Sequence, residues 1–367
     1  MLTRNGTFDG KDRRRLMTPR ERALSAFRHE VPDRVPAYVR NVLDWQRHAA
    51  YFGVSTQADL FALLGNTIRS FGPACLIQRS DSQSDQNLLT IWGIPGDMVG
   101  TYTDSFPRPL ARAETMADVE AFDWPSGSDW DFEGMRRQLI EEQTYARLSP
   151  SWMPVFSRLC ELFGMENAMV KLHTNRPVID AALAHLDVFY TDFYRNILDV
   201  CGDHLDIFGL GDDFAGNDRL LLPPDLWRQL FKPLYAKWLG MAKAKGVFTF
   251  MHSCGNLVEV LPDLVDIGLD AWQTVQTHLP GQSADYIKAE YGRHLTFIGA
   301  IDTTNILGFA SPDEVRQHVE AQIRTLGKGG GYICAPDHTI MREAPSENVA
   351  ALYDTCRDFR GKGYTTL

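Results

Sequence analysis

The chain has 367 residues, of which 44% are hydrophobic and 23% charged, and its 37 basic and 47 acidic residues give a formal net charge of −10. This composition excludes a collagen-like or disordered chain, and the acidic excess argues against general binding to nucleic-acid phosphates. No apolar run approaches the roughly 18 residues of a membrane span. The six scattered cysteines do not form the dense disulfide framework of a small secreted domain. We therefore expect a cytoplasmic protein without a membrane or nucleic-acid partner.

The N-terminal half carries few strong signals. Residues 1–16 contain basic side chains without a following apolar stretch, which predicts a solvated tail rather than a secretory signal. Thr18 to Glu21 form a capping box that predicts a helix to about His29, and a strand is expected near 34–39. The stretch 103–128 is rich in Pro, Ala, Asp and Glu, and it predicts an inserted segment within a single domain covering 17–367.

From about residue 200 onward, strand and helix patterns alternate. The predicted strands lie at 204–213, 247–251, 269–276, 295–302 and 331–338. Helices separate them, including one amphipathic helix from Leu226 to about Gly246 and one interrupted at Pro262. Such alternation predicts a parallel sheet, either doubly wound or closed as a (β/α)8 barrel. The length suits the barrel, and no G-x-G-x-x-G phrase follows an early strand to support a dinucleotide-binding fold.

Polar side chains follow each of these five strands. In a parallel barrel the carboxyl ends of the strands share one rim, where function resides. The residues that this places on the rim are Asp212, Asp213, His252, Cys254, Gln276, Asp302 and Cys334.

The strongest candidate among them is a metal site. His252-x-Cys254 together with Cys334 offers one imidazole and two thiolates, a donor set that suits Zn²⁺. Three protein ligands leave a fourth position open, as in catalytic zinc sites. Asp212, Gln276, His338, water or substrate are alternatives for that position. The competing interpretation is that His252 makes ordinary hydrogen bonds and that both cysteines are packing residues.

Other rim residues have two interpretations each. Asp212 and Asp213 are candidates for a catalytic acid or base, or for a solvated pair in a loop. Gln276, Asp302 and His338 are candidates for substrate binding. Asp302 could instead cap the following loop, and His338 could instead be a metal ligand, a proton donor or a partner in a loop hydrogen bond.

Several phrases in the chain resemble the uroporphyrinogen decarboxylase superfamily, and the likeness covers nearly all of its length. The phrases include MTPRERALSAFRHEVPDRVP, PLARAETMADVEAFDWP, FTFMHSCGNLVEVLPDLVDIGLDAWQTVQ, LTFIGAID and GGGYICAPDH. The resemblance implies a (β/α)8 barrel with an N-terminal extension and an inserted segment.

The branches of that superfamily differ in chemistry. Porphyrinogen decarboxylases carry an arginine-rich phrase after the first strand, which this chain lacks; Arg40 is the cation near that point. The cobalamin-dependent methyltransferases carry H-x-C and a distant cysteine as zinc ligands, which His252, Cys254 and Cys334 match in kind. The resemblance therefore implies a zinc-dependent transfer of a methyl group between a small O-, N- or S-methylated substrate and the cobalt of a corrinoid protein or a thiol acceptor.

The corrinoid is expected on a separate protein, because nothing after residue 340 resembles a corrinoid domain. Two further functions stay open. One is a metal-independent decarboxylase or lyase of the same fold, in which Asp212 or Asp213 would direct protons. The other is a non-enzymatic barrel that binds a tetrapyrrole. The methyl donor, the direction of transfer and the oligomeric state are left open.

Overall fold

A computed structural model provides the fold and describes residues 16–77, 79–80, 88–89, 91–94, 108–152 and 154–359. The predicted N-terminal tail lies outside the described residues except for Leu16. The strands are β1 Ile68–Ser70, β2 Ala74–Cys75, β3 Arg79–Ser80, β4 Leu88–Leu89, β5 Trp130–Asp131, β6 Ala146–Leu148, β7 Ile207–Gly211, β8 Phe248–His252, β9 Ala271–Val275, β10 Thr296–Ile301 and β11 Tyr332–Pro336.

Helices separate and flank these strands. They are α1 Pro19–Phe27, α2 Trp45–Phe52, α3 Gln57–Leu63, α4 Met116–Glu120, α5 Phe132–Glu141, α6 Phe156–Phe163, α7 Met165–Thr174, α8 Arg176–Cys201, α9 Pro224–Leu230, α10 Lys232–Ala244, α11 Leu261–Asp266, α12 Ala284–Tyr291, α13 Pro312–Leu326 and α14 Ser346–Asp358. No helix within the described ranges combines the length and apolar character that crossing a membrane requires.

Seven strands form one parallel sheet in the order β1-β6-β7-β8-β9-β10-β11. The two edges of this sheet meet the same extended segment, because Ala37 bridges in parallel both to Asn66, ahead of β1, and to Cys334 in β11. The amide of Cys334 donates to Pro36 O at 2.9 Å, and the amide of Tyr38 donates to Cys334 O at 3.0 Å. The sheet is therefore curled, in keeping with a barrel-like α/β fold, and the expected strand near 34–39 is reduced to this bridge.

The pleat of the strands divides the core into two clusters. Alternate side chains of a strand point to opposite faces. One set, including Ile207, Phe250, Ile298 and Ile333, fills the inside of the curled sheet together with residues of α1. The other set packs outward against the helices. Because α1 covers the amino-terminal end of this interior, the loops after β7 to β11 line the opposite, carboxyl end. We call these loops the carboxyl rim.

An ion-pair cluster fastens α1 to the sheet. Asp206, just before β7, accepts bidentate hydrogen bonds from Arg20 at 2.7 and 3.0 Å and from Arg147 at 3.0 and 3.2 Å. Burial alone would raise the pKa of Asp206, but the hydrogen bonds from both guanidinium groups lower it below its ordinary value. The cluster therefore holds the amino-terminal end of the fold through an ionised carboxylate.

The sequence predictions agree with most of these elements. All five strands of the second half are confirmed, and the capping box at Thr18 forms as expected. The helix predicted from Leu226 to about Gly246 is wrong in one respect, because it is two helices. Pro233 lies in the first turn of α10, where the missing amide is tolerated, and it cannot continue α9.

Candidate metal centre at the carboxyl rim

Three side chains of the metal-ligating type meet inside the carboxyl rim. Asp213 follows β7, His252 ends β8 and Cys254 lies two residues beyond it. One ligand atom from each lies within 4.8 Å of the others. His252 Nε2 is 3.8 Å from Asp213 Oδ1 and 3.8 Å from Cys254 Sγ. These three atoms form a group able to hold a metal ion.

The imidazole of His252 is oriented by a glutamine on the next strand. The register pairs His252 with Gln273 of β9, and Nδ1 donates to Gln273 Oε1 at 2.6 Å. This arrangement directs the lone pair of Nε2 toward Asp213 and Cys254, which is how metal-binding histidines are commonly held. Burial and the nearby Arg40 charge lower the pKa of His252 well below its ordinary value, so the ring is neutral, as ligation requires.

Arg40 contributes a positive charge at the same place. Its Nη1 lies 2.7 Å from His252 Nδ1 and 3.0 Å from His252 Nε2, so the guanidinium lies against the imidazole ring. The positive charge of Arg40 also acts to lower the pKa of Asp213 and of Cys254. A cation is thus already favoured beside these three side chains, and a metal ion would have to move the guanidinium away from Nε2.

The loop that carries Cys254 is held on both sides. The amide of Cys254 donates to Asp213 Oδ1 at 2.9 Å, and the amide of Gly255 donates to Gln276 Oε1 at 2.7 Å. Gly255 has φ +89°, and a Cβ at that position would lie 2.5 Å from Ala215 O, so only glycine fits. These hydrogen bonds and the close approach of Gly255 to Ala215 fix the position of the loop without a ligand.

The electrostatics of Asp213 and Cys254 favour a bound cation. Burial, with the neighbouring Asp212 charge, raises the pKa of Asp213 to about 6. Burial and the Asp213 carboxylate raise the pKa of Cys254 to about 12. The thiol is consequently protonated at neutral pH unless a cation stabilises the thiolate. The carboxyl group of Asp213 exchanges its proton close to neutral pH.

Asp212 has a different role from its neighbour, and its predicted catalytic role does not fit its position. It is fully buried, and Oδ2 accepts from the amides of Val155 and Phe156 and from the hydroxyl of Tyr235 at 2.6–2.8 Å. Oδ1 accepts from the amide of Ser157 at 2.9 Å. Asp212 therefore anchors the start of α6, outside the curled sheet.

The prediction of Cys334 as a third ligand also needs correction. Cys334 packs in the outer cluster, and its thiol lies in hydrogen-bond contact with Cys356 of α14. Its strand neighbours Ile333 and Ala335 point inside. Because side chains alternate between the two faces of a strand, Cys334 faces the helices. Asp213 occupies the third ligand position that the sequence analysis had assigned to Cys334.

The three residues predicted to bind substrate differ in their surroundings. Gln276 accepts from Gly255 and supports the loop. Asp302 accepts from the amides of Thr304 and Asn305 at 2.7 and 2.9 Å, so it caps the turn that follows β10. His338 is exposed on the rim and close enough for its charge to lower the pKa of His252.

The donor set fits zinc. One imidazole nitrogen, one thiolate and one carboxylate are ligands that Zn²⁺ accepts. Two such ligands of one tetrahedral zinc lie about 3.4–3.6 Å apart, close to the two separations of 3.8 Å measured from His252 Nε2. Sequence reasoning missed Gln273, although its place in the predicted strand put it on the same face as the rest of the site.

Comparison with known proteins agrees with this architecture. Residues 155–359 match the uroporphyrinogen decarboxylase (URO-D) family. A methyltransferase from Methanosarcina mazei is similar in structure, with a TM-score of 0.60 and 18% identity over 93% of this chain and 99% of that protein. The apo form of a 3-keto-D-glucoside 4-epimerase from E. coli has a TM-score of 0.36 and 13% identity over 69% of this chain and 97% of that protein. No curated protein sequence matches the chain significantly.

Proposed function

The chain belongs to the uroporphyrinogen decarboxylase family, and we propose that it is a zinc-dependent methyltransferase. It would move a methyl group between a small methylated substrate and the cobalt of a corrinoid protein or a thiol acceptor. The observation that carries this proposal is the convergence of His252 Nε2, Cys254 Sγ and Asp213 Oδ1 inside the carboxyl rim. The likeness to a Methanosarcina methyltransferase over 93% of the chain supports it.

The proposal includes a barrel of eight parallel positions. Seven are strands of the curled sheet, and the segment around Ala37 takes the eighth, because it bridges both edges. In such a barrel the substrate enters over the carboxyl ends of the strands. The opposite end is covered by α1, so the substrate and a separate corrinoid protein would share the rim side.

His252, Cys254 and Asp213 would hold the zinc ion. When bound, zinc supplies Lewis acidity that lowers the pKa of a substrate thiol or polarises a bond between methyl and oxygen, nitrogen or sulfur. Gln273 keeps His252 in the tautomer that presents Nε2. The thiolate of Cys254 and the carboxylate of Asp213 neutralise the charge of the ion. A corrinoid, when bound, would supply the organometallic chemistry, and the protein would position it against the substrate.

The test combines metal content with methyl transfer. The wild-type chain, purified under reducing conditions without chelators, is expected to contain about one zinc, and to consume methylcobalamin in the presence of a thiol acceptor. Cys254→Ala should lose the zinc and nearly all turnover. Cys75→Ala is the matched control, because Cys75 lies in β2 on another part of the chain and should keep both.

Two results would contradict the proposal. One is a wild-type chain that contains no zinc and gains none when zinc is supplied. The other is full turnover by Cys254→Ala. If neither result is obtained, a screen of methanol, methylamines, methylthiols and methoxylated aromatics against cob(I)alamin identifies the methyl donor and the direction of transfer.

A metal-independent decarboxylase is the second candidate, and two observations favour it. Burial raises the pKa of Asp213 to about 6, which suits a proton donor at neutral pH. Arg40 lies against the same site and offers a cation to a substrate carboxylate. Release of carbon dioxide in the presence of EDTA, lost in Asp213→Asn, would replace the methyltransferase proposal with this one.

A further inference from the structure

A second group of ligand-type side chains lies on the carboxyl rim and shares no residue with the first. It consists of His278, Asp302 and Asp337, whose ligand atoms all lie within 4.8 Å of one another. The strand register explains the meeting of the two carboxylates. Ile301 at the end of β10 pairs with Pro336 at the end of β11, so the next residue of each strand is an aspartate and the two are neighbours.

One oxygen of Asp337 is buried without a hydrogen bond. The residue is 1% exposed. Its Oδ1 accepts from the amide of Thr303 at 3.0 Å and from the hydroxyl of Thr303 at 2.8 Å. Its Oδ2 has no hydrogen-bond donor among the described residues. A buried carboxylate oxygen left in this state is costly unless a cation satisfies it.

Asp302 is equally fixed. Both of its oxygens accept hydrogen bonds from the turn that follows β10, with Oδ2 bound to Asn305 Nδ2 at 2.9 Å. It is 5% exposed. Two buried carboxylates held from behind by one turn therefore face the same point, and their mutual repulsion requires a positive charge there.

His278 places an imidazole nitrogen beside these two carboxylates. His278 Nδ1 lies 3.3 Å from Asp337 Oδ2 and 3.8 Å from Asp302 Oδ2. The Asp337 carboxylate, together with Asp302, raises the pKa of His278, so the protonated imidazole supplies the positive charge until a metal ion takes the place of its proton. Two ligands bound at about 2.1 Å and separated by about 100–130° around one ion lie about 3.2–3.8 Å apart. The separations of the nitrogen from the two oxygens are thus those of ligands that share one ion.

We propose that His278, Asp302 and Asp337 bind a divalent first-row metal ion, distinct from the zinc proposed at His252. Two carboxylate oxygens and one imidazole nitrogen are the ligands that Mn²⁺ and Fe²⁺ accept, and they are harder than the thiolate-containing group. The His278 side chain is 29% exposed, so the ion faces the rim with positions open to an oxygen atom of a substrate.

Binding of Mn²⁺ alone, followed by electron paramagnetic resonance of the free ion, tests this site. The wild-type chain should bind one Mn²⁺. Asp337→Asn keeps the oxygen that accepts from Thr303 and should bind at least about tenfold more weakly, because one ligand is lost. Asp285→Asn, an exposed acid in the first turn of α12, makes the same charge change and should bind as the wild type does.

A third variant separates this site from the first group. Cys254→Ser removes the thiolate of the proposed zinc site and should leave Mn²⁺ binding within twofold of the wild type, whether or not the methyltransferase proposal holds. The inference is overturned if the wild type binds no Mn²⁺ at millimolar concentration, if Asp337→Asn binds as tightly as the wild type, or if Cys254→Ser abolishes binding. His278→Gln should weaken binding as Asp337→Asn does, and unchanged affinity in that variant would also refute the site.

Discussion

Replacing Asp213 with asparagine is expected to stabilise the fold while abolishing activity. Burial raises the pKa of Asp213 from 3.8 to about 6, so at neutral pH the folded protein holds an ionised carboxylate in a poorly solvated place. Asparagine keeps the oxygen that accepts from the amide of Cys254 at 2.9 Å and carries no charge. The variant therefore loses a proposed metal ligand and an acid, and it also avoids the cost of burying the charge.

The size of the effect follows from the pKa of Asp213. A tenfold change in an acid dissociation constant corresponds to about 1.4 kcal/mol, so the change from 3.8 to about 6 corresponds to about 3 kcal/mol. The side chain is 25% exposed, and solvent screening lowers this value to about 2 kcal/mol. The pKa of Asp213 is higher in the folded state than in the unfolded state. Its protonated form therefore stabilises the folded wild type fully below about pH 4, and this stabilisation is lost as the pH rises through about 6.

Urea unfolding in EDTA between pH 5 and pH 8 measures this effect without a bound metal. At pH 8 Asp213→Asn should exceed the wild type by about 2 kcal/mol, and the difference should shrink toward pH 5. Asp218→Asn, an exposed acid in the same loop, is the matched control and should change little. If Asp213→Asn is no more stable than the wild type at pH 8, burial of the charge is not costly and the reasoning fails.

Three further variants test other parts of the structure. Cys334→Ala should retain zinc while Cys254→Ala loses it, as metal analysis would show; loss of zinc in both would restore Cys334 as a ligand. Gln273→Leu should weaken zinc binding about 10–100-fold in a chelator competition, because the Nδ1 proton of His252 loses its acceptor; unchanged affinity would remove Gln273 from the site. Asp206→Asn should lower the free energy of unfolding at pH 7 by about 3–5 kcal/mol, since Arg147 stays buried without its partner. The pKa of Asp206 is lowered in the fold, so this contribution disappears as the pH falls through that pKa, and urea unfolding at pH 7 and below pH 4 would show whether the two proteins converge.

The sequence allowed the strands of the second half and their shared rim to be predicted, because hydrophobic periodicity and capping residues are local signals. His252 and Cys254 followed from the same reasoning, since a strand end is visible in the sequence. Long-range pairing was not visible there. The bridging of both sheet edges by Ala37 appears only in the folded chain, whereas the division of one predicted helix at Pro233 could have been predicted from the proline itself.

The error at Cys334 has a different cause. The strand that carries it was predicted, but Cys334 is the middle residue of β11 rather than its end, and the face of the strand was not considered. Counting in steps of two from the inward Ile333 reaches Ala335 and Asp337 and passes over Cys334. The same count from Ile207 reaches Asp213 and passes over Asp212. The alternation of a strand was thus available in the sequence and would have exchanged Cys334 for Asp213 in the ligand set.

The adjacency of Asp212 and Asp213 bears on how such a protein could acquire new reactions. Asp212 holds the start of α6 through three hydrogen bonds and accepts a fourth from Tyr235 of α10, whereas Asp213 faces the interior, where it meets His252. A substitution at position 213 can therefore change the chemistry of the site without disturbing the fold, whereas a substitution at position 212 removes the hydrogen bonds that hold α6. A library randomised at 213 alone should yield mostly folded proteins, which makes that position the first choice for directed evolution of this protein.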